Sequence, residues 1–227
     1  AVARLWVPSR PRLCRRSGCH CRVETTRVVT VDIDQAFEAC SASAILPSFL
    51  YFAARFRRAT RCSHVVVRKG KKASVRASAS GYGAGDVLLS CEQLSMALYA
   101  SCYLTLVALS DLVFGLRGLP IGAIMSAVCV SLYLGFHELT WREDAARQEA
   151  AGFTFGTWDV DSVVQSLRYV DDVVGISHVL CPDSLLLWLE SSYPLPLSLC
   201  SGAGQKVDAA RIWLDVEFAI TGFFVFI

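Results

Sequence analysis

Tyr169-Val170-Asp171-Asp172 sets two adjacent carboxylates between two apolar runs, Val163 to Val170 and Val173 to Ile176. Clustering two negative charges at such a turn is costly unless cations neutralise them, so the pair reads as the tip of a metal-binding hairpin. A second acidic cluster, Asp32-Ile33-Asp34, ends another apolar strand, Val28 to Val31. Phosphoryl chemistry on two metal ions needs carboxylates brought together from separate strands, and these two clusters could hold two magnesium ions, with manganese as an alternative. An isolated Asp-Asp turn is usually just a turn. Its weight here comes from the strands around it and the partner cluster upstream.

At 227 residues and 54% apolar content the chain can fill a core. The net charge of +2 hides a division. Residues 1–76 hold 16 Lys or Arg against four acids, a balance of +12, and residues 77–227 hold six against sixteen, a balance of −10. Nine of the basic residues fall between Arg55 and Arg76, where no acid interrupts them. That segment, with Arg55, Arg57, Arg58, Arg61, Arg68, Lys69, Lys71 and Lys72, is the candidate surface for a nucleic-acid backbone, because phosphate contacts need charge and no sequence readout. The bland alternative is a solvated face.

The order of elements reads as strand, helix, hairpin, helix, strand, helix, hairpin, helix, strands, an α+β domain with helices against an antiparallel sheet. Residues 10–27 read as irregular. Residues 35–56 have helical composition with an interruption near Pro47, and Val65 to Val67 forms a strand before a turn at Lys69-Gly70-Lys71-Lys72. An apolar helix is expected to start near Asp86. Leu94 to Leu116 and Ala123 to Phe136 raise a membrane reading, but Asp111 interrupts the first and the second is short, so buried core helices explain them better.

Three strings carry a family resemblance: Val31-Asp32-Ile33-Asp34-Gln35-Ala36-Phe37, Gly118-Leu119-Pro120-Ile121-Gly122 and Tyr169-Val170-Asp171-Asp172. In that order they resemble the central palm motifs of reverse transcriptases of the non-LTR retroelement and group II intron kind. The resemblance implies a right-hand polymerase palm over residues 28–227, with a basic hairpin insertion at about 55–76 and residues 1–27 as a remnant of preceding fingers. It implies RNA-directed DNA polymerase activity with an RNA template, a DNA primer and deoxynucleoside triphosphates as partners.

Residue by residue, the resemblance makes Asp32 and Asp171 metal ligands, with the Ile33 backbone carbonyl on the same ion and Asp172 a supporting carboxylate. Phe37, five positions after Asp32, would lie beneath the sugar and exclude a ribose 2′-hydroxyl; otherwise it is a core aromatic. Gly118, Pro120 and Gly122 would approach the nucleotide, Lys206 would neutralise the leaving pyrophosphate, and Tyr169 would contact nucleic acid. The family usually has glutamine where this chain has Ile121, and proline where it has Ala127. Trp213 to Phe218 resembles the strand that grips the primer.

Only 31 residues precede Asp32 and little follows Phe218, so incomplete fingers and thumb, and a fragment, are expected. Ten cysteines scattered through apolar runs read as buried thiols in a reducing compartment. Cys14, Cys19 and Cys21, with His20 among them, could offer three or four soft ligands to zinc, although their spacing matches no common zinc pattern. No apolar signal-peptide core is present, which favours an intracellular protein of nucleus or cytoplasm over a secreted one. The rival readings are a degenerate retroelement remnant that binds nucleic acid without chemistry and, more weakly, a small membrane protein.

Overall fold

The computed structural model describes residues 12–24, 26–68, 74–77, 85–103, 106–115, 118–119, 125–199, 210–213, 216–221 and 224–226. In chain order it begins with strands β1 (Arg12–Leu13), β2 (Arg22–Val23) and β3 (Arg27–Ile33), followed by helices α1 (Ala36–Ala39) and α2 (Ala42–Thr60). Strands β4 (His64–Arg68), β5 (Ser74–Ala77) and β6 (Asp86–Ser90) lead into α3 (Cys91–Tyr103), and β7 (Leu106–Leu109) and β8 (Leu112–Gly115) into α4 (Ser126–Glu143). Short helices α5 (Ala145–Ala150) and α6 (Val160–Val163) precede β9 (Val164–Tyr169), β10 (Asp172–Ser177), α7 (Pro182–Ser192) and β11 (Leu197–Leu199). Three strands close the chain: β12 (Ala210–Trp213), β13 (Val216–Thr221) and β14 (Phe224–Phe226).

Two compact units are present, one of Ala1–Ala36 with His137–Ile227 and one of Phe37–Phe136. The first contains a four-stranded antiparallel sheet in the order β11-β3-β10-β9. β3 and β9 run in the same direction with β10 inserted between them, and β10 and β11 do likewise around β3, the split βαβ arrangement. The central strands β3 and β10 are buried along most of their length, which explains their near-continuous runs of valine and isoleucine. α7 packs against both of them. Its closest approach is at Gly175, where a Cβ would lie 2.9 Å from a terminal methyl carbon of the fully buried Leu189.

Beside α7 a cluster of aromatic rings completes the core of this unit. Trp188 meets Trp141 and Phe153 at 5.1 Å and Phe155 at 5.2 Å, edge to face. The buried Gln148 amide donates to the carbonyls of Trp141 and Arg142 at 2.7 and 3.1 Å, satisfying acceptors that the end of α4 leaves without helical partners.

The second unit holds α2 packed along α3, a sheet in the order β5-β4-β6 and the hairpin β7-β8. Here several expectations change. Residues 86–90 are the strand β6 rather than a helix, and α3 starts at Cys91 because Ser90 and Gln93 cap it reciprocally, each side chain accepting from the other's backbone N–H at 2.8 and 3.1 Å. Leu94 to Leu116 is not one helix. It ends as α3 at Tyr103 and returns as a hairpin around Ser110, at φ 54°, and Asp111. The break in residues 35–56 falls at Cys40-Ser41, and α2 runs through Pro47 in its second turn, where the ring nitrogen leaves the Ser43 carbonyl without its helical donor.

Residues 12–23 form the small β1-β2 hairpin where an irregular lead-in was expected. Trp213 to Phe218 folds back on itself, with Trp213 paired to Val216, and is not a single strand. Among the described residues no helix is long and apolar enough to cross a membrane.

Substituting Gly175 tests the seating of α7 on the sheet. Gly175→Ala is expected to destabilise the fold by about 1–3 kcal/mol, the range for overpacking a close-packed core, as read from urea denaturation midpoints.

Candidate active site

The two acidic clusters meet. β3 and β10 pair so that Asp172 lies directly opposite Asp32, with Val173 opposite Val31. The Ile33 N–H donates to the Asp171 carbonyl at 3.1 Å, and bonded and non-bonded pairs alternate along an antiparallel ladder. Asp32 and Asp172 therefore occupy a non-bonded position, where opposing side chains come closest. Facing like charges in such pairs destabilise a sheet. On its other side Asp32 pairs with Ser198 of β11, whose hydroxyl donates to Asp34 at 2.7 Å.

The third carboxylate stands in the two-residue turn between β9 and β10, where Tyr169 pairs with Asp172. Val170 precedes it at φ 57°, a left-handed conformation that a β-branched residue adopts only under strain. The strain is held from below. Arg168 donates to the Val170 carbonyl at 2.8 Å and to Glu138 on α4 at 2.6 Å, and the Tyr193 hydroxyl donates to the same Glu138 oxygen at 2.6 Å. Burial and the neighbouring Glu138 charge raise the Tyr193 phenol, so it remains a proton donor throughout the physiological range. Glu138, Arg168, Tyr193 and Ser198 are partners that no motif announced.

The charges register one another. Burial raises the Asp32 carboxyl above its ordinary value of 3.8, and Asp171, Asp172 and Asp34 raise it further. Asp172 is raised by burial and then by Asp171. Asp32, Asp171 and Asp172 are thus half-buried oxygen donors at the end of one strand pair, the donor type that divalent magnesium or manganese prefers, although as placed their oxygens do not all lie within 4.8 Å of one another.

The other expected site residues are distributed as follows. Ile33 is buried, so only its backbone could reach an ion, and Tyr169 is 62% exposed beside Asp172. Phe37 is half-buried on α1, and its carbonyl accepts from the Leu119 N–H at 2.9 Å. Gly118, at φ 77°, presses on that same segment, where a Cβ would fall 2.5 Å from the Glu38 carbonyl oxygen. Its missing side chain is therefore demanded by the chain's own backbone. Arg55, Arg57, Arg58 and Arg61 are exposed along the last turns of α2 and just beyond, with Arg55 donating to the Tyr51 hydroxyl at 3.0 Å. The Arg68 backbone lies in β4. Lys69, Lys71, Lys72, Pro120, Gly122 and Lys206 lie outside the described residues.

No protein-family model matches the chain, and no curated protein matches it in sequence. Solved structures do match in fold. Apo telomerase from Candida tropicalis superposes with a TM-score of 0.52 at 13% identity, over 86% of this chain and 32% of the telomerase chain. Telomerase from Candida albicans, in complex with a TWJ fragment of telomeric RNA, does so with a TM-score of 0.50 at 11% identity, over 88% and 32%. The chain thus has a telomerase-like fold and spans about a third of those proteins.

If the carboxylates repel as described, their ionisation destabilises the fold. A carboxyl raised in the folded state binds its proton more tightly there than in the unfolded chain, so stability falls as pH rises from the ordinary value through the raised one, and the loss is complete above it. Asp172→Asn is expected to raise the melting temperature at pH 7.5 and to leave it nearly unchanged at pH 3; an equal shift at both values would mean that charge is not the cause.

Proposed function

We propose that this chain is the palm of a reverse-transcriptase-like polymerase and extends a DNA primer on an RNA template by adding deoxynucleotides. The reading is carried by the pairing of Asp32 with Asp172 beside the strained turn of Asp171, three carboxylates drawn from two motifs far apart in sequence. The telomerase-like fold supports it, telomerase being a reverse transcriptase relative.

In this reading Asp32 and Asp171 hold the magnesium ions, with the Ile33 carbonyl beside them, while Asp172 keeps the field negative and the hairpin in shape. Bound there, the metal would lower the pKa of the primer 3′-hydroxyl and stabilise charge on the departing pyrophosphate. The Arg168–Glu138–Tyr193 chain fixes the turn, so that Asp171 is oriented before substrate arrives and little reorganisation is left for the reaction. Phe37 would exclude the ribose 2′-hydroxyl, and the arginines of α2, with the lysines after β4, would follow the template-primer backbone. Tyr169, exposed next to Asp172, would touch the primer end. Lys206 would meet pyrophosphate.

A second reading, a nucleic-acid-binding remnant without chemistry, is favoured by Ile121 and Ala127 at positions where the family has glutamine and proline. Primer extension separates the two. With a primed RNA template, deoxynucleotides and magnesium, Asp171→Asn is expected to reduce extension at least about a hundredfold, the scale for losing a charged group that acts directly on the reaction, while primer-template binding persists. Equal extension by variant and parent would refute the assignment. A parent that binds template, fails to extend it and gains no thermal stability from magnesium would establish the remnant instead. Phe37→Ala is expected to raise ribonucleotide use relative to deoxynucleotide by about tenfold or more, and unchanged sugar choice would make the ring a packing residue.

A further inference from the structure

The cysteines of the β1-β2 hairpin converge on a fourth that the sequence places 160 residues away. Among the described residues the one group of three His, Cys, Asp or Glu side chains whose ligand atoms all lie within 4.8 Å of one another is Cys14, Cys19 and Cys181. Cys181 Sγ is 3.8 Å from Cys14 Sγ and 3.6 Å from Cys19 Sγ. Cys21, at the surface, is a hydrogen-bonding neighbour of Cys19 and Cys181 but as placed lies outside that group, so it would have to swing in to complete a fourth position. His20, the other ligand expected from the sequence, is not in the group.

These separations have a chemical meaning. Four sulfurs bound to one zinc at about 2.3 Å each stand at the corners of a tetrahedron with an edge of about 3.8 Å. A disulfide would need about 2.05 Å between two of them and would leave the others behind. Hydrogen-bond donors also surround the sulfurs, while burial holds the Cys14 thiol above its ordinary value, so the metal itself would have to supply the charge that keeps it deprotonated. The backbone N–H groups of Arg16 and Cys181 point at Cys14 Sγ, the second of them at 3.5 Å, and that of Cys21 points at Cys19 Sγ. Ser184 Oγ, fully buried, lies 3.3 Å from Cys14 Sγ and 3.2 Å from Cys181 Sγ, placed to turn its proton toward a thiolate. Cys181 occupies the N-cap of α7, where the helix dipole favours an anion.

The hairpin is held against the rest of its unit by few backbone bonds: Arg15 N–H to the Val179 carbonyl at 3.1 Å, Ser17 N–H to the Gly152 carbonyl at 2.7 Å, and Thr154 N–H to the Arg15 carbonyl at 3.4 Å. We propose that Cys14, Cys19, Cys21 and Cys181 form a closed tetrahedral zinc site that staples this hairpin to the start of α7. Binding releases the four thiol protons to solvent and changes no oxidation state. Zinc here has a structural role, since four protein ligands leave no open position for substrate.

The 227-residue chain, purified in reductant without chelator, is expected to carry about one zinc per molecule by elemental analysis. Cobalt put in its place should give thiolate charge-transfer and tetrahedral visible bands. Cys181→Ser is expected to fall below about a tenth of an equivalent, while Cys62→Ser, outside the cluster, keeps its zinc. Should Cys181→Ser fail to fold, the parent decides alone: zinc added to the metal-free, reduced chain must protect Cys14, Cys19, Cys21 and Cys181 from alkylation, as read peptide by peptide by mass spectrometry. No zinc with four reactive thiols, iron in place of zinc, or a disulfide among the four would each overturn the proposal.

Discussion

Repulsion between carboxylates is the constraint around which the four-stranded sheet is arranged. Asp32 and Asp172 face one another at the close-approaching position of an antiparallel ladder, with Asp171 one residue away, and burial first, then the neighbouring carboxylates, raise both carboxyls. A sheet selected for stability alone would put threonine or an opposite charge there. The compensation lies below, in the near-continuous apolar length of β3 and β10 and in α7 seated on Gly175, which fix the register so that the aspartates cannot slip apart.

The turn is a second expense met by the same means. A valine at positive φ is held because its carbonyl is bonded to Arg168, Arg168 to Glu138, and Glu138 to Tyr193. These groups come from β9, α4 and the end of α7, so all the layers of the unit meet at the back of the turn. Arg168 and Glu138 are mostly buried, with 11% and 22% of their side chains exposed. A buried pair of this kind gives limited stability but strict geometry, because each partner alone would be an uncompensated charge. Strain at Val170 and order behind it are two sides of one device that aims Asp171.

How much of this the chain displays in advance follows from how local each signal is. The acidic clusters, the valine-rich strands and the hairpin around Val170-Asp171 are written in consecutive residues and were legible. The start of α3 was legible in principle, since Ser90-Cys91-Glu92-Gln93 is a capping box, but apolar composition past Asp86 outweighed it. Leu94 to Leu116 misled for the same reason: a long apolar run is as consistent with helix plus hairpin as with one helix, and only the Ser110-Asp111 turn distinguishes them. Partners supplied from a distance left no local mark. Ser198 beside Asp34, Glu138 behind Arg168 and Cys181 beside Cys14 are set by strand order and helix placement, which no short motif encodes.

The strand pair that unites the acids also separates them from the thiols. Asp32 and Asp172 lie where β3 ends and β10 begins, whereas the cysteine cluster is reached from the opposite end, after β10 has finished at Ser177 and before β3 starts at Arg27. Six residues of β10 place about 17 Å between those ends at the usual rise of a strand. Oxygen donors thus lie at one end and soft sulfur donors at the other, with the buried, mainly valine core of β3 and β10 between. Ligand softness would keep magnesium from the thiols. In that arrangement the sulfur end can stiffen the start of α7, whose Leu189 locks β10, while the carboxylates at the other end remain partly exposed to solvent.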